Sequence, residues 1–121
     1  MAKKDDLPIP YVDADKETIV TIASGQSQSS VLDGWGFSPI MILVPAAFTA
    51  SNITFQVSKD GNTFYQLTDY VGTLISVPAE QGMAIPLDAN NFGGIRFFRI
   101  TTSAVQAADR IVDFCLIPLY K

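Results

Sequence analysis

Short apolar runs separated by turn-forming residues constrain the fold of this chain more than any other feature of the sequence. Hydrophobic residues make up 48% of the 121 residues, and their runs end at Gly, Pro, Asn, Ser or Asp. The longest run, residues 40–44, has the length of a strand, and no helical period of useful length is present. About eight or nine such runs predict an all-β fold, an antiparallel β-sandwich of the jelly-roll or Greek-key type.

The length of the chain fits a single domain that needs neither a metal nor disulfides. A domain of 121 residues buries roughly two-thirds of the surface that its unfolded chain exposes. Composition divides the chain, because residues 1–17 are polar and proline-containing, whereas β-branched runs begin at Thr18. We therefore expect an extended N-terminal arm at residues 1–17 and a β-sandwich domain at residues 18–121.

The arm carries apolar side chains that a purely solvated tail would not need. Pro8 and Pro10 alternate with three apolar residues, and prolines in alternation impose extended geometry and remove backbone donors. A frayed terminus is one interpretation. The alternative is an arm that orders on a neighbouring subunit, for which the apolar anchors would be Leu7, Ile9, Tyr11 and Val12.

Two apolar strands lack the polar outer face of a simple surface strand. Residues 39–44 are apolar at every position, which predicts a central strand covered on both faces, or covered on one face and docked on a partner. In the last run, alternation places Val112, Phe114 and Leu116 on one face. The opposite face carries Ile111, Asp113 and Cys115, and we expect it to be partly covered.

The residue types needed for catalysis are scarce. The chain has no histidine and one cysteine, Cys115, which cannot form an intrachain disulfide and is expected to be a small buried hydrophobe. The spacing of Asp13, Asp15 and Glu17 fails the EF-hand pattern, because Thr18 and Ser24 occupy its sixth and twelfth positions. No convergent carboxylate pair is evident. We expect no catalytic residue, no cofactor-binding residue, no metal site and no cofactor.

The charge of the chain argues against two classes of partner. Its net charge is −4 and its pI is near 4.4, without a basic run, so nucleic acid and anionic membranes are unfavourable partners. No apolar run approaches the roughly 20 residues of a membrane helix. Residues 1–6 are polar and no apolar stretch follows them, so we expect no signal peptide.

Aromatic and arginine residues mark candidate contact surfaces. Trp35 stands between two glycines, where it can be a core residue, a subunit contact or a sugar-stacking platform. Arg96 and Arg99 bracket two phenylalanines, a composition usual at protein interfaces. Arg99 would pair with Asp113 if their strands were neighbours. The predicted interface residues are Leu7, Ile9, Tyr11, Trp35, Phe37, Ile40, Ile42, Phe97 and Arg99.

Two resemblances extend this interpretation. Residues 53–64, ITFQVSKDGNTF, and residues 94–100, GIRFFRI, are similar to the hairpin and late strand of discoidin (coagulation factor 5/8 type C) jelly rolls. The whole arrangement resembles the small accessory virion proteins of tailed bacteriophages. That likeness depends on four features of the sequence. They are the polar arm, the Pro-Ala-Ala-Phe loop at residues 45–48, the Ser-x-Asp-Gly hairpin, and the Ala-Ala-Asp-Arg segment at residues 107–110 that precedes the last strand.

The phage resemblance implies a non-enzymatic virion structural protein that decorates or cements the capsid. Its expected partners are the major capsid protein or another virion protein, and further copies of itself in a homo-oligomer, with the virion as its location. One alternative is a carbohydrate-binding module of a tail fibre or baseplate that uses Trp35, Tyr65 or Tyr70. Another is a structural component of the neck or tail.

Overall fold

A computed structural model describes residues 17–93 and 95–118, in which strands are the main regular secondary structure. One helix of a single turn accompanies nine strands in these residues. The elements are β1 (Ile19–Ile22), β2 (Leu32–Asp33), β3 (Phe37–Leu43), β4 (Ser51–Ser58), β5 (Tyr65–Gln66), β6 (Ser76–Ala79), β7 (Ala84–Pro86), α1 (Ala89–Phe92), β8 (Phe97–Thr102) and β9 (Arg110–Pro118). The all-β prediction is confirmed, and most of the predicted arm lies outside the described residues.

The strands form two antiparallel sheets, as a β-sandwich requires. Sheet I has the order β1-β9-β3-β7, and sheet II has the order β2-β8-β4-β5. Strand β6 also pairs with β4, beside its first half, while β5 pairs with its second half. Neighbours in each sheet are mostly distant in sequence, so the chain crosses repeatedly between the sheets.

The hydrophobic core fills the space between the two sheets. Phe98 of sheet II and Phe114 of sheet I meet edge to face, with ring centroids 5.2 Å apart and an interplanar angle of 87°. The inward residues of β9 are Val112, Phe114 and Leu116, as their alternation predicted. The remaining core side chains are Val20, Ile22, Leu32, Ile42, Val44, Phe48, Ile53, Phe55, Ala79, Phe92, Phe98 and Ile100.

The predicted Asp-Gly hairpin joins β4 to β5. Gly61 has a φ of +83°, a left-handed conformation that a side chain would disfavour. Oδ1 of Asp60 accepts hydrogen bonds from the backbone N–H groups of Asn62 at 2.8 Å and Thr63 at 3.0 Å. The hydroxyl of Ser58 donates to the same oxygen at 2.9 Å. These donors stabilise the ionised carboxylate and lower the pKa of Asp60 to about 2.

Two local features of the fold depend on a short helical turn and on a proline within a strand. Asp88 accepts a hydrogen bond from the N–H of Asn90 at 2.9 Å and caps the single turn of α1. That turn inserts Phe92 into the core, 4.9 Å from Phe55. Pro78 lies within β6, where it is tolerated because β6 pairs on one edge with β4.

Candidate interaction surfaces

Apolar side chains predominate in three cross-strand rows on the outer face of sheet I. Directly opposite residues on antiparallel strands share a face, and the register therefore groups these side chains. The first row has Ile111 opposite Thr21, and the third has Cys115 and Met41 beside Pro86. The central row consists of Ile19, Asp113, Leu43 and Ala84. Ile117 continues the face at the end of β9.

Several of these apolar side chains are exposed to solvent. Ile111 is 55% exposed and Ile117 is 42% exposed, while Ile19 and Leu43 retain slightly more than a third of their surface. Antiparallel sheets commonly have one core face and one polar face. Sheet I departs from that rule, because apolar side chains outnumber the polar ones among the described residues of its outer face. The polar members there include Thr21, Asp113 and the buried Ser38, which lies opposite Ile117.

The outer face of sheet II follows the usual rule and provides an internal comparison. Its solvent side carries mainly polar residues, with Phe97 and Pro78 as exceptions. These residues are Asn52, Thr54, Gln56, Ser76, Arg99 and Thr101. Solvent exposure alone therefore does not explain the apolar composition of the outer face of sheet I. The contrast makes the outer face of sheet I a candidate contact surface.

Asp113 lies at the centre of this face, and one of its two carboxylate oxygens accepts hydrogen bonds. Its Oδ1 accepts hydrogen bonds from the hydroxyl of Thr18 at 2.7 Å and from the N–H of Phe114 at 2.8 Å. Thr18 immediately precedes β1. Its contact with Asp113 therefore holds the residue before the first strand against the outer face of sheet I. Among the described residues, no donor reaches Asp113 Oδ2 within hydrogen-bonding distance.

Cys115 also lies on this outer face. It was expected to be buried, but it is half-buried and stands opposite Met41. The strand alternation that puts Phe114 in the core turns Cys115 outwards. The thiol therefore lies on the outer face of sheet I, where its rate of chemical modification would show whether a partner covers that face.

A second surface surrounds Arg96 at one end of sheet II. The guanidinium carbon of Arg96 lies 5.0 Å from the ring centroid of Trp35 and 4.7 Å from that of Phe97. Nε of Arg96 is 3.4 Å from Oδ1 of Asp33, and that oxygen also accepts the N–H of Trp35 at 3.0 Å. Trp35 is 68% exposed, so it is not a core residue.

Arg99 has partners other than the one expected from sequence. It lies on β8 in sheet II, whereas Asp113 lies on β9 in sheet I, so the expected Arg99–Asp113 pair is wrong. The guanidinium carbon of Arg99 lies 4.0 Å from the ring centroid of Phe64, and its Nε donates to Gln56 Oε1 at 2.8 Å. These contacts hold Arg99 along the outer face of sheet II.

An open cavity of about 310 Å³ borders the Arg96 surface. Tyr65 forms one wall, and Lys59 and Arg96 contribute cationic groups to the lining. The other lining residues are Val57, Ser58 and Ile95. Tyr65 is 65% exposed, so an aromatic ring and two cations are available to a ligand here.

The predicted interface residues do not form one surface. Leu7, Ile9 and Tyr11 lie outside the described residues. Ile42 is 0% exposed and belongs to the core, so it offers no surface to a partner. Phe37, Ile40, Phe97 and Arg99 are all half-buried.

The structure adds contact candidates that the sequence analysis did not select, namely Ile19, Met41, Leu43, Ile111 and Ile117. Alternation placed Ile111 on the outer side of β9, and that signal could have identified Ile117 as well. Leu43 and Met41 required the register, because a β-bulge at Ile40 shifts the alternation of β3 between Pro39 and Met41.

The described part of the chain contains neither a metal-binding cluster nor a membrane-spanning helix. No group of three or more His, Cys, Asp or Glu side chains is placed to hold a metal ion there. No helix in residues 17–93 and 95–118 is long and apolar enough to cross a membrane.

Comparison with known proteins leaves the family of this chain open. The chain matches no protein-family model, no curated protein and no solved structure.

Proposed function

We propose that this protein is a non-enzymatic structural component of a tailed-phage virion, which decorates or cements the capsid through protein–protein contacts. Residues 18–121 would form its β-sandwich domain, of jelly-roll or Greek-key type, and residues 1–17 its extended arm. The major capsid protein, or another virion protein, would be its partner, and the protein would act as a homo-oligomer.

The apolar outer face of sheet I is the observation that carries this proposal. Burial of apolar surface contributes about 25 cal/mol per Å², and this face leaves Ile111, Ile117 and Leu43 partly in water. Scattered exposed hydrophobic residues are normal, whereas contiguous ones mark sites of association. The cross-strand register places these residues on one face of sheet I, where Leu43 lies in the same row as Ile19 and Ala84.

Capsid stabilisation would follow from mass action. A protein that binds only the assembled lattice stabilises that lattice by its own binding free energy. Many copies, each with a modest interface, would add their effects, and an arm that links neighbours would raise the effective concentration of each contact. None of these steps requires a catalytic group.

Co-sedimentation with empty capsid shells tests the proposal. The shells should come from the phage whose genome encodes the chain, and the wild-type protein should bind them saturably. Ile111→Glu places an unpaired charge in the apolar face and should weaken binding at least about tenfold. Ser76→Glu puts the same side chain on the outer face of sheet II and should leave binding unchanged.

Failure of the wild-type protein to bind shells would refute capsid decoration. Equal loss of binding in both glutamate variants would show that the outer face of sheet I is not the contact. Thermal unfolding of each variant establishes that it folds before its binding is compared with that of the wild type.

A carbohydrate-binding module is a second candidate, favoured by one observation. Trp35 and Tyr65 are both about two-thirds exposed, and Arg96 connects them, because it contacts Trp35 and lines the cavity beside Tyr65. A glycan array should then show saturable binding that Trp35→Ala and Tyr65→Ala abolish. Sugar-specific binding together with no binding to shells would favour this module over capsid decoration.

A further inference from the structure

We propose that the cavity beside Arg96 binds a sugar ring that carries a carboxylate, such as a uronic acid residue of a glycan. This inference rests on the second candidate function, the carbohydrate-binding module, and names the class of ligand that the module would take. It does not depend on capsid decoration. The described lining of the cavity belongs to sheet II and to the segment that enters β8, whereas the surface proposed for the capsid lies on sheet I.

The cavity has the size of a small ligand site. Its volume of about 310 Å³ lies at the lower end of the range of about 300–1,000 Å³ that is usual for ligand pockets. Its walls are mainly apolar, with a few polar groups among them, which is also usual for such pockets. One side is open to solvent. A ligand of one or two rings therefore fits the cavity and leaves its outer side in water.

Tyr65 provides a flat wall on which a sugar ring can stack. In the pairing of β5 with β4, Tyr65 lies directly opposite Val57, so the two side chains share a face. The ring of Tyr65 is largely exposed, and its hydroxyl has no hydrogen-bond partner within the described residues. One face of a sugar ring presents C–H groups, while its edge carries hydroxyls. Tyr65 matches both, since it has an apolar ring and a polar tip.

Cationic side chains are concentrated at this cavity. The described part of the chain contains four lysine and arginine residues, namely Lys59, Arg96, Arg99 and Arg110. Two of them, Lys59 and Arg96, line the cavity, and its described lining contains no Asp or Glu. The chain as a whole has a net charge of −4, so this lining differs in sign from the rest of the molecule. It favours an anionic ligand, and a carboxylate matches the planar guanidinium of arginine.

The guanidinium of Arg96 is held in position but can accept a stronger partner. Its contacts with the rings of Trp35 and Phe97 restrict its movement. Nε and Nη2 lie 3.4 Å and 3.5 Å from the carboxylate oxygens of Asp33, which is long beside the roughly 2.7–2.9 Å of a strong charged pair. Both side chains of this pair are nearly half exposed, so water weakens it. The carboxylate of a ligand can therefore form shorter hydrogen bonds to a guanidinium that is already ordered.

Lys59 contributes the second charge from a turn of fixed shape. It lies between Ser58 and Asp60, whose side chains are joined by a hydrogen bond of 2.9 Å. The hydroxyl of Ser58 also accepts the N–H of Gly61 at 2.9 Å, so this hydroxyl serves the turn. The side chain of Lys59 is exposed and forms no ion pair within the described residues. Its ammonium group is therefore available to the carboxylate or the hydroxyls of a sugar.

The open side of the cavity favours a sugar over an aromatic acid. An aromatic acid gains most where both faces of its ring leave water. A sugar can place its apolar face on Tyr65 and keep its hydroxyls in solvent. Its carboxylate would then lie towards Arg96 and Lys59, which line the same cavity as Tyr65.

NMR titration of the isotope-labelled, full-length protein with matched sugars tests this proposal. The probes are the methyl glycosides of glucuronic acid and galacturonic acid. Their controls are the methyl glycosides of glucose and galactose, which carry a hydroxymethyl group in place of the carboxylate. We expect at least one acidic sugar to bind at least about tenfold more tightly than its neutral counterpart, with large shift changes at Lys59, Tyr65 and Arg96. Sodium acetate should bind more weakly than the acidic sugar, because it lacks the ring.

Three variants and a matched control locate the site. Arg96→Gln and Lys59→Gln each remove a charge from the lining and should weaken binding of the acidic sugar at least about threefold. Tyr65→Ala removes the stacking wall and should weaken it at least about tenfold. Arg99→Gln removes an arginine charge from the outer face of sheet II, outside the cavity lining, and should leave binding unchanged. Thermal unfolding establishes that each variant folds.

The outcomes separate this inference from the candidate function on which it rests. Equal affinity for an acidic sugar and its neutral counterpart would overturn the inference and leave a carbohydrate-binding module standing. Acetate that binds as tightly as the acidic sugars would overturn it as well, and so would equal losses in Arg96→Gln and Arg99→Gln. Absence of binding by both acidic sugars would overturn the inference, and a negative glycan array would refute the module too.

Discussion

The side chain of Gln106 pairs with the backbone of Thr49 as an additional strand would. Oε1 of Gln106 accepts the N–H of Thr49 at 2.9 Å, and its Nε2 donates to the carbonyl of Thr49 at 3.1 Å. The backbone of Gln106 also donates to Gln26 at 2.9 Å and accepts from Gly25 at 2.8 Å. Gln106 is 0% exposed, so one buried residue joins three loops.

Replacing Gln106 by alanine should destabilise the protein by about 3 kcal/mol, because the backbone groups of Thr49 lose their partners in a buried site. Urea unfolding followed by circular dichroism measures the change. Gln26→Ala is the control, since the side chain of Gln26 is exposed, and it should change stability by no more than about 0.5 kcal/mol. Similar effects for the two variants would contradict this role of Gln106.

Two adjacent threonines on β8 should respond in opposite directions to valine. In the described residues, the buried hydroxyl of Thr101 has no hydrogen-bond partner, so Thr101→Val should stabilise the protein by about 1 kcal/mol. The hydroxyl of Thr102 donates to Ala104 at 2.7 Å, and Thr102→Val should destabilise it by about 1 kcal/mol. Urea unfolding of both variants tests the pair. A loss of stability in Thr101→Val would refute the prediction.

The Asp60 turn should make stability sensitive to acid. The pKa of Asp60 is lowered from 3.8 to about 2 in the folded protein, so its contribution is fully present above pH 3.8 and is lost as the pH falls towards 2. Asp60→Asn should therefore lower Tm at pH 6. The difference from wild type should shrink between pH 4 and pH 2. A difference in Tm that stays constant over this range would exclude the mechanism.

The contact between Arg96 and Trp35 should be visible in fluorescence. Trp35 is the only tryptophan of the chain, and the guanidinium of Arg96 covers part of its ring. Arg96→Ala should raise the rate of acrylamide quenching, because it uncovers that part. Arg99→Ala removes a guanidinium that lies on Phe64 instead and should leave quenching unchanged. Equal quenching in the two variants would argue against the contact.

The sequence by itself determined the features that depend on neighbouring residues. Alternation assigned the two faces of β9, and the Asp-Gly pair located the hairpin between β4 and β5. Both signals arise within a few residues, since side-chain alternation and left-handed turn conformations are properties of the local backbone. The all-β class followed from the same local patterns.

Only the tertiary structure decided which strands are neighbours and which surfaces remain open. It separated Arg99 from Asp113 into different sheets, turned Trp35 into solvent and buried Gln106 against Thr49. It also aligned Ile111, Leu43 and Ile19 on one face, although they come from three strands distant in sequence. Strand pairing and burial depend on contacts across the whole chain, and a local pattern carries no information about which distant strand completes them.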